Sequence, residues 1–381
     1  GQAARGGLGG RSCEGALIWH LGWGLGRIPP MLPPADFRSD TITQPDAAMR
    51  QAMATAEVGD DVFGEDPTVR RLEEEGAQVL GQPDALFLPS GTMANQVAIH
   101  VHCRPGDELI CDARGHVFRY EGGAVARLSG TQVMTVATED GFPSPAQIQG
   151  AFRKDDVHYP RSTLLVLENT HNMAGGRVLP LEGLRERVTA ARELGLRVHL
   201  DGARLANASV ASGTPMDEFG TEVDSLTLCL SKGLGAPVGS LLAGSRAFIA
   251  EARRARKAFG GGMRQAGVLA AAGMLALRDG PARLAEDHRR AQLLASAAAE
   301  LPAIHADRSS VQTNICMVDV PGGDASGLIE HMAAQCVLAL ALSDTRIRIV
   351  THKDLNEDAV ARCLEALRTW PPNKAQSSAP V

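Results

Sequence analysis

The chain has no C-x-x-C pair, and its seven cysteines are an odd number scattered along 381 residues. That excludes a disulfide framework and a cysteine zinc site, and it points to a reducing compartment. No apolar run approaches the roughly 20 residues of a membrane span. No dinucleotide-type glycine fingerprint follows an early strand, which disfavours a nicotinamide enzyme. The net charge is −6, so a nucleic-acid footprint is lacking. The one basic run, Glu251 to Lys257, has its charges spaced along a helix and reads as a solvated or subunit-contacting face.

What is present is an ordinary globular composition, 44% apolar and 22% charged, at a length that suits one large domain and one smaller one. The first 36 residues differ, being rich in glycine and proline and carrying Arg5, Arg11 and Arg27 against Glu14 and Asp36. They read as a mitochondrial transit peptide or as an upstream extension with Met31 as an alternative start, so the expected compartment is cytoplasmic or mitochondrial. Residues 371–381 read as a disordered tail.

From residue 60 onward, helical and strand periods alternate. Val69, Leu72, Gly76, Val79 and Leu80 share one helical face closed by Gly81, and a strand follows at Ala85–Leu88. Further short apolar strands are expected at 108–111, 132–136, 164–167, 198–200 and 226–230, with a helix over 181–194. This pattern implies an α/β domain over 37–275, including an N-terminal arm, with a mostly parallel sheet covered on both faces. A helical region over 281–301, strands at 315–320 and 347–350, and two more helices imply a smaller C-terminal α+β domain over 276–370.

Two residues then stand out. Lys232 follows the apolar run Leu226–Leu230, and Asp201 ends the strand before it. A lysine and an acid at neighbouring strand mouths suit pyridoxal 5'-phosphate (PLP). That cofactor needs an amine to hold its aldehyde carbon and a carboxylate to keep its ring nitrogen protonated. Taken singly, Asp201 is also a helix cap and Lys232 a surface residue. Lys232 needs a pKa below the free value of ~10.4 to act as an amine.

Other candidates also carry two readings. Ser90, Gly91 and Thr92, between a strand and a helix, offer backbone N–H groups to a phosphate or simply cap the helix. His116 lies over a ring or is structural, and His158 is weaker still. Arg204, three residues after Asp201, orients that carboxylate or faces a substrate acid. Arg264 reaches a phosphate or caps a loop. Arg348 suits a bidentate carboxylate anchor, but Arg346 shares its strand face by the period of two.

Together the stretches FRSDTITQP, GDDVFGEDPTV, LFLPSGTMANQ, HVFRYEGG, LENTHN, HLDGARLAN, LSKGLGAPVGS, GGGMRQAG and RIVTH, in this order over roughly residues 37–355, resemble the low-specificity L-threonine aldolases. These are fold-type I PLP enzymes with an aspartate aminotransferase-like large domain. The resemblance implies that Lys232 carries the cofactor, Asp201 faces its ring nitrogen and His116 stacks on the ring. It also implies that Gly91, Thr92, Arg204 and Arg264 serve the cofactor, and that Ser39, Arg204 and Arg348 hold the substrate carboxylate. His158 aligns with a second histidine near the substrate hydroxyl. The implied reaction is retro-aldol cleavage of the small-molecule substrates L-threonine and L-allo-threonine to glycine and acetaldehyde. The implied assembly is a homodimer or homotetramer with its active site at a subunit interface. The rivals are another PLP reaction such as β-elimination and a non-catalytic PLP-fold scaffold.

Overall fold

In the computed structural model, which describes residues 33–371, the short apolar runs become strands buried on both faces. Of the expected leader over 1–36, residues 1–32 lie outside the described residues, as do 372–381 of the expected tail. Ala35 and Asp36 form a strand of the fold and so do not belong to a leader. The strands in chain order are β1 (Ala35–Asp36), β2 (Asp84–Leu88), β3 (Glu108–Asp112), β4 (Gln132–Val136), β5 (Ser162–Glu168) and β6 (Arg197–Asp201). They continue with β7 (Ser225–Cys229), β8 (Ser240–Gly244), β9 (Ile315–Asp319), β10 (Val337–Leu338), β11 (Leu340–Ser343) and β12 (Arg346–Val350).

Seven of them form one sheet in the order β2-β8-β7-β6-β5-β3-β4. All pairs are parallel except those of β8, which runs antiparallel to both β2 and β7. Strands β2, β3, β5, β6 and β7 therefore end at the same edge, where doubly wound sheets place their ligands. Strand β8 is absent from the sequence-based expectation. Its run SLLAG is buried throughout and lacks any alternation that would separate a strand from the small-residue loop before it.

Period two decides what each strand touches. Ala85 and Phe87 of β2 pack into one apolar cluster and Leu86 and Leu88 into another, so both sheet faces are covered. Helix Pro67–Val79 covers one face. Asp66 caps it by accepting from the Thr68 and Val69 amides, Pro67 occupies the first turn where no amide is needed, and Val69, Leu72 and Gly76 are buried. Burial on this scale contributes about 1.5–3 kcal/mol for each large aliphatic side chain.

A second cluster gathers around the antiparallel sheet β11-β12-β9. Helices Leu284–Ala298, Ala325–Ala334 and Glu357–Arg368 supply about half of it, and Ala35 and Phe37 join it beside the β1–β10 pair. Helix Gly267–Asp279 runs unbroken through residues 275 and 276, with Ala276 and Leu277 in the larger cluster.

Candidate active site

Each candidate is positioned by a strand end. Asp201 closes β6 and is level with Glu168 at the end of β5. Gly202 must be glycine, because a Cβ there would stand 2.1 Å from the Thr227 carbonyl oxygen of β7. The close approach brings the Asp201 and Lys232 strands together. Lys232 sits in the connection from β7 to β8, its carbonyl accepting from Thr43 Oγ1 at 2.9 Å. Its charge acts on both Asp40 and His116.

Asp201 is buried and accepts from Asn95 Nδ2 at 2.8 Å and from the Ala203 amide at 3.0 Å. His116 donates its backbone N–H to Glu168 Oε2 at 2.8 Å, and its Nδ1 lies 2.9 Å from Glu121 Oε1. Burial pulls the His116 pKa down, but the Glu121 hydrogen bond and the Asp201 charge outweigh it, and the net shift is upward. Glu168 also accepts from the Asn172 amide, and buried His171 stands 3.1 Å from Asp112 Oδ1, off the axis a hydrogen bond would take. Burial lowers the His171 pKa and Glu168 and Asp112 raise it, with the net shift again upward.

At the end of β2, Ser90 caps helix Gly91–His102 by accepting from the Met93 amide at 3.1 Å. Capping by Ser90 leaves the Gly91 and Thr92 amides with no acceptor among the described residues, so the cap and the anion turn are one structure. Ser240 Oγ of β8 is buried without a partner among the described residues, 3.5 Å from where a Gly91 Cβ would stand. A buried hydroxyl beside a positive helix end is an unmet demand for an oxyanion. With the strand-end lysine and buried carboxylate, these groups fit PLP.

Arg348 is 8% exposed and has no carboxylate partner among the described residues. Its Nη1 donates to Asn172 Oδ1 at 2.8 Å, its Nη2 to the Arg38 carbonyl at 3.2 Å, and its Nε to nothing described. Burial and the neighbouring Arg204 charge both lower its pKa. Arg346, which shares the strand face, pairs with Asp319 across the β12–β9 register and is largely exposed. Ser39 caps a short turn by accepting from the Thr41 amide, next to buried Asp40.

Three of the candidates have carboxylate partners of their own within one chain. Arg204 orients neither Asp201 nor, among the described residues, any other site carboxylate but Asp40, to which it donates from Nε and Nη2. Arg264 is half exposed and pairs with Asp60 at 3.2 Å. His158 lies on an exposed turn with its Nδ1 2.7 Å from Asp156, apart from the cluster within one chain. In the basic run, Arg256 is buried rather than solvated, donating to Asp61 and to the Phe87 carbonyl, which on the edge strand β2 needs a donor.

Sequence reasoning missed Asn95, Glu121, Glu168, Asn172 and Asp40. All lie inside the quoted stretches, but most of their partners are distant in sequence, and the two near pairs, His116 with Glu121 and Glu168 with Asn172, follow no periodic spacing.

The beta-eliminating lyase family model matches residues 36–321. A probable low-specificity L-threonine aldolase of Arabidopsis thaliana is 43% identical over 349 residues, covering 89% of this chain and 98% of that protein. The low specificity L-threonine aldolase of Escherichia coli is 45% identical over 327 residues, covering 86% of this chain and 96% of that protein. Among solved structures, a threonine aldolase of Leishmania major superposes with a TM-score of 0.77 at 23% identity, covering 88% of this chain and 99% of that one, which speaks to the fold. With a fold-type I architecture and a site that fits PLP, the chain belongs to the low-specificity L-threonine aldolases within the beta-eliminating lyase family.

Proposed function

We propose that this protein is a PLP-dependent aldehyde-lyase that cleaves L-threonine, L-allo-threonine and related β-hydroxy-α-amino acids between Cα and Cβ, releasing glycine and an aldehyde. The observation that carries the reading is Arg348, a buried arginine that forms no ion pair among the described residues, joined through Asn172 and Glu168 to the segment holding His116. A cation so placed calls for a carboxylate ligand, and an α-amino acid supplies one. When bound, PLP supplies an electron sink for the pair released as the bond breaks.

The chain's own residues would divide the work as follows. Lys232 supplies the amine that carries the cofactor and gives it up to the substrate. Asp201 holds the proton on the ring nitrogen. Gly91, Thr92 and the helix end above them hold the phosphate, with Ser240 beside them. Arg348 grips the substrate carboxylate, with Ser39 nearby and Arg204 acting through Asp40. His116, anchored on Glu121 through Nδ1, keeps Nε2 for the β-hydroxyl proton, directly or through water.

Incubation with threonine and with allo-threonine tests the reading. Glycine and acetaldehyde are expected; ammonia and a 2-oxo acid would show β-elimination instead. Purified protein should also carry an absorbance band that is lost in Lys232→Ala, and a colourless wild type would sink the cofactor assignment.

We further propose self-association into a homodimer or homotetramer. Val157, Phe63, Tyr120 and Phe118 are large apolar side chains left exposed on one chain, which supports a covered surface in the assembly. Light scattering that returned a monomer would overturn it.

A further inference from the structure

Behind Asp201 runs a buried chain of polar side chains that the reaction described above does not use. Its hub is Asn95, on helix Gly91–His102. Asn95 Nδ2 donates to Asp201 Oδ2 at 2.8 Å and to Glu121 Oε1 at 2.9 Å. Its Oδ1 accepts from Thr227 Oγ1 at 3.2 Å and lies 3.2 Å from His199 Nε2. All four hydrogen-bonding positions of the amide are therefore filled.

The proton positions along the chain follow by elimination. An amide oxygen only accepts, so His199 carries its proton on Nε2. Burial lowers the His199 pKa to about 4, so the ring is neutral and its Nδ1 is bare. That nitrogen takes the hydroxyl proton of Ser225, 2.8 Å away. The hydroxyl has one proton, so His102 Nε2, at 2.7 Å, donates to Ser225 Oγ. Every link thus donates in one direction, from His102 through Ser225 and His199 to Asn95 and on to two carboxylates. Aligned bonds of this kind polarise and strengthen one another.

The two carboxylates need such a donor. Ligand atoms of Asp201, Glu121 and His116 lie within 4.8 Å of one another. Carboxylates so close compete for one proton unless a neutral donor separates them. An Asn95 amide turned over would aim its oxygen at both acids and its NH2 at His199 and Thr227. The two carboxylates accept only, so they forbid that orientation, and the His102–Ser225–His199 chain holds the amide oxygen from the other side.

We propose that Asn95 is a positioning residue which, held in place by this chain, presents Asp201 to the cofactor ring nitrogen and Glu121 to His116 at the same time. With Glu121 also accepting from Gln96 Nε2, His116 Nδ1 is left as a donor to it and the ring tautomer is set. The inference rests on the cofactor reading above only for the Asp201 half; the His116 half stands in the cofactor-free protein.

The test compares Asn95→Leu, His199→Phe and His199→Gln with wild type. Three quantities are read: PLP affinity by absorbance titration, the wavelength of the bound band, and the His116 imidazole 15N shifts in cofactor-free protein. Asn95→Leu should weaken PLP binding by about tenfold or more, move the band and change the His116 shifts. His199→Phe should do the same in smaller measure. His199→Gln should return all three close to wild type, because its amide can donate to Asn95 and accept from Ser225. Wild-type values in Asn95→Leu would overturn the proposal. Should Asn95→Leu fail to fold, His199→Gln behaving no better than His199→Phe would overturn it equally. A wild-type protein with no Lys232-dependent band would instead defeat the cofactor reading, and the imidazole shifts would still decide the His116 half.

Discussion

Arg204 is held by Asp40, its Nε and Nη2 donating to the two carboxylate oxygens at 2.8 and 2.7 Å with both groups buried. Asp40 also accepts from Asn314 Nδ2, so one carboxylate joins the end of β6 to the segment leading into β9. Burial raises the Asp40 pKa, but the Arg204 guanidinium outweighs it and holds the carboxyl well below its ordinary range. Removing the charge leaves a buried arginine uncompensated, so Asp40→Asn should cost about 3 kcal/mol near neutral pH. Because the folded pKa is depressed, this contribution is complete above the unfolded value of 3.8 and is lost as pH falls through the folded one. In urea unfolding at a series of pH values, the gap between wild type and Asp40→Asn should narrow as pH falls below about 4. A gap constant down to the acid limit would contradict this account.

Arg348 and Asn172 give a kinetic prediction. Arg348→Lys keeps a charge but loses the planar fork, so KM for the amino acid should rise by about tenfold to a hundredfold. Asn172→Ala removes only the acceptor that fixes Nη1. KM should then rise by about threefold to tenfold with kcat nearly unchanged, since the guanidinium remains but is less well aimed. Equal losses in kcat and kcat/KM would place Arg348 in the bond-breaking step instead.

Ser240 and Gly91 separate cofactor binding from folding. A hydroxyl buried without a partner destabilises the fold, so cofactor-free Ser240→Ala should unfold at the same denaturant concentration as wild type or a higher one. Gly91→Ala meets only Ser240 Oγ at 3.5 Å and should also fold normally. Both should bind PLP more weakly, the first through a lost hydroxyl and the second through a methyl group in the anion turn. Unaltered PLP affinity in both would move the phosphate elsewhere.

The sequence carried the repeating parts of this structure. Strands such as Ala85–Leu88 announce themselves as short apolar runs, the helix before it by its period and the Gly81 that closes it, and Lys232 and Asp201 by their place at strand mouths. The site's supporting groups do not. Asn95 meets Glu121 26 residues away and Asp201 106 away, and Arg204 meets Asp40 across 164, so no local pattern contains these pairs. Arg346 and Arg348 are equivalent by strand period. Only the register that sets Asp319 opposite Arg346 separates them. Arg256 reads as solvated because its helix is basic, yet it alone in the run faces the Phe87 carbonyl.

His158 gives the last prediction. Its side chain is 83% exposed, Val157 beside it is 97% exposed, and its partner is Asp156, two residues away. Nothing in the fold depends on it, so His158→Phe should leave the unfolding free energy unchanged within about 0.5 kcal/mol and leave PLP affinity intact. That separation makes its kinetics informative. A fall in aldol cleavage against unchanged unfolding and an unchanged cofactor band would assign the imidazole to the reaction in the assembled protein. Conversely, an unchanged rate would remove it and leave His116, whose Nδ1 is already committed to Glu121, as the group that takes the hydroxyl proton. The substitution should be measured across protein concentrations, because an exposed residue that works only in the assembly loses its effect when the assembly is diluted apart.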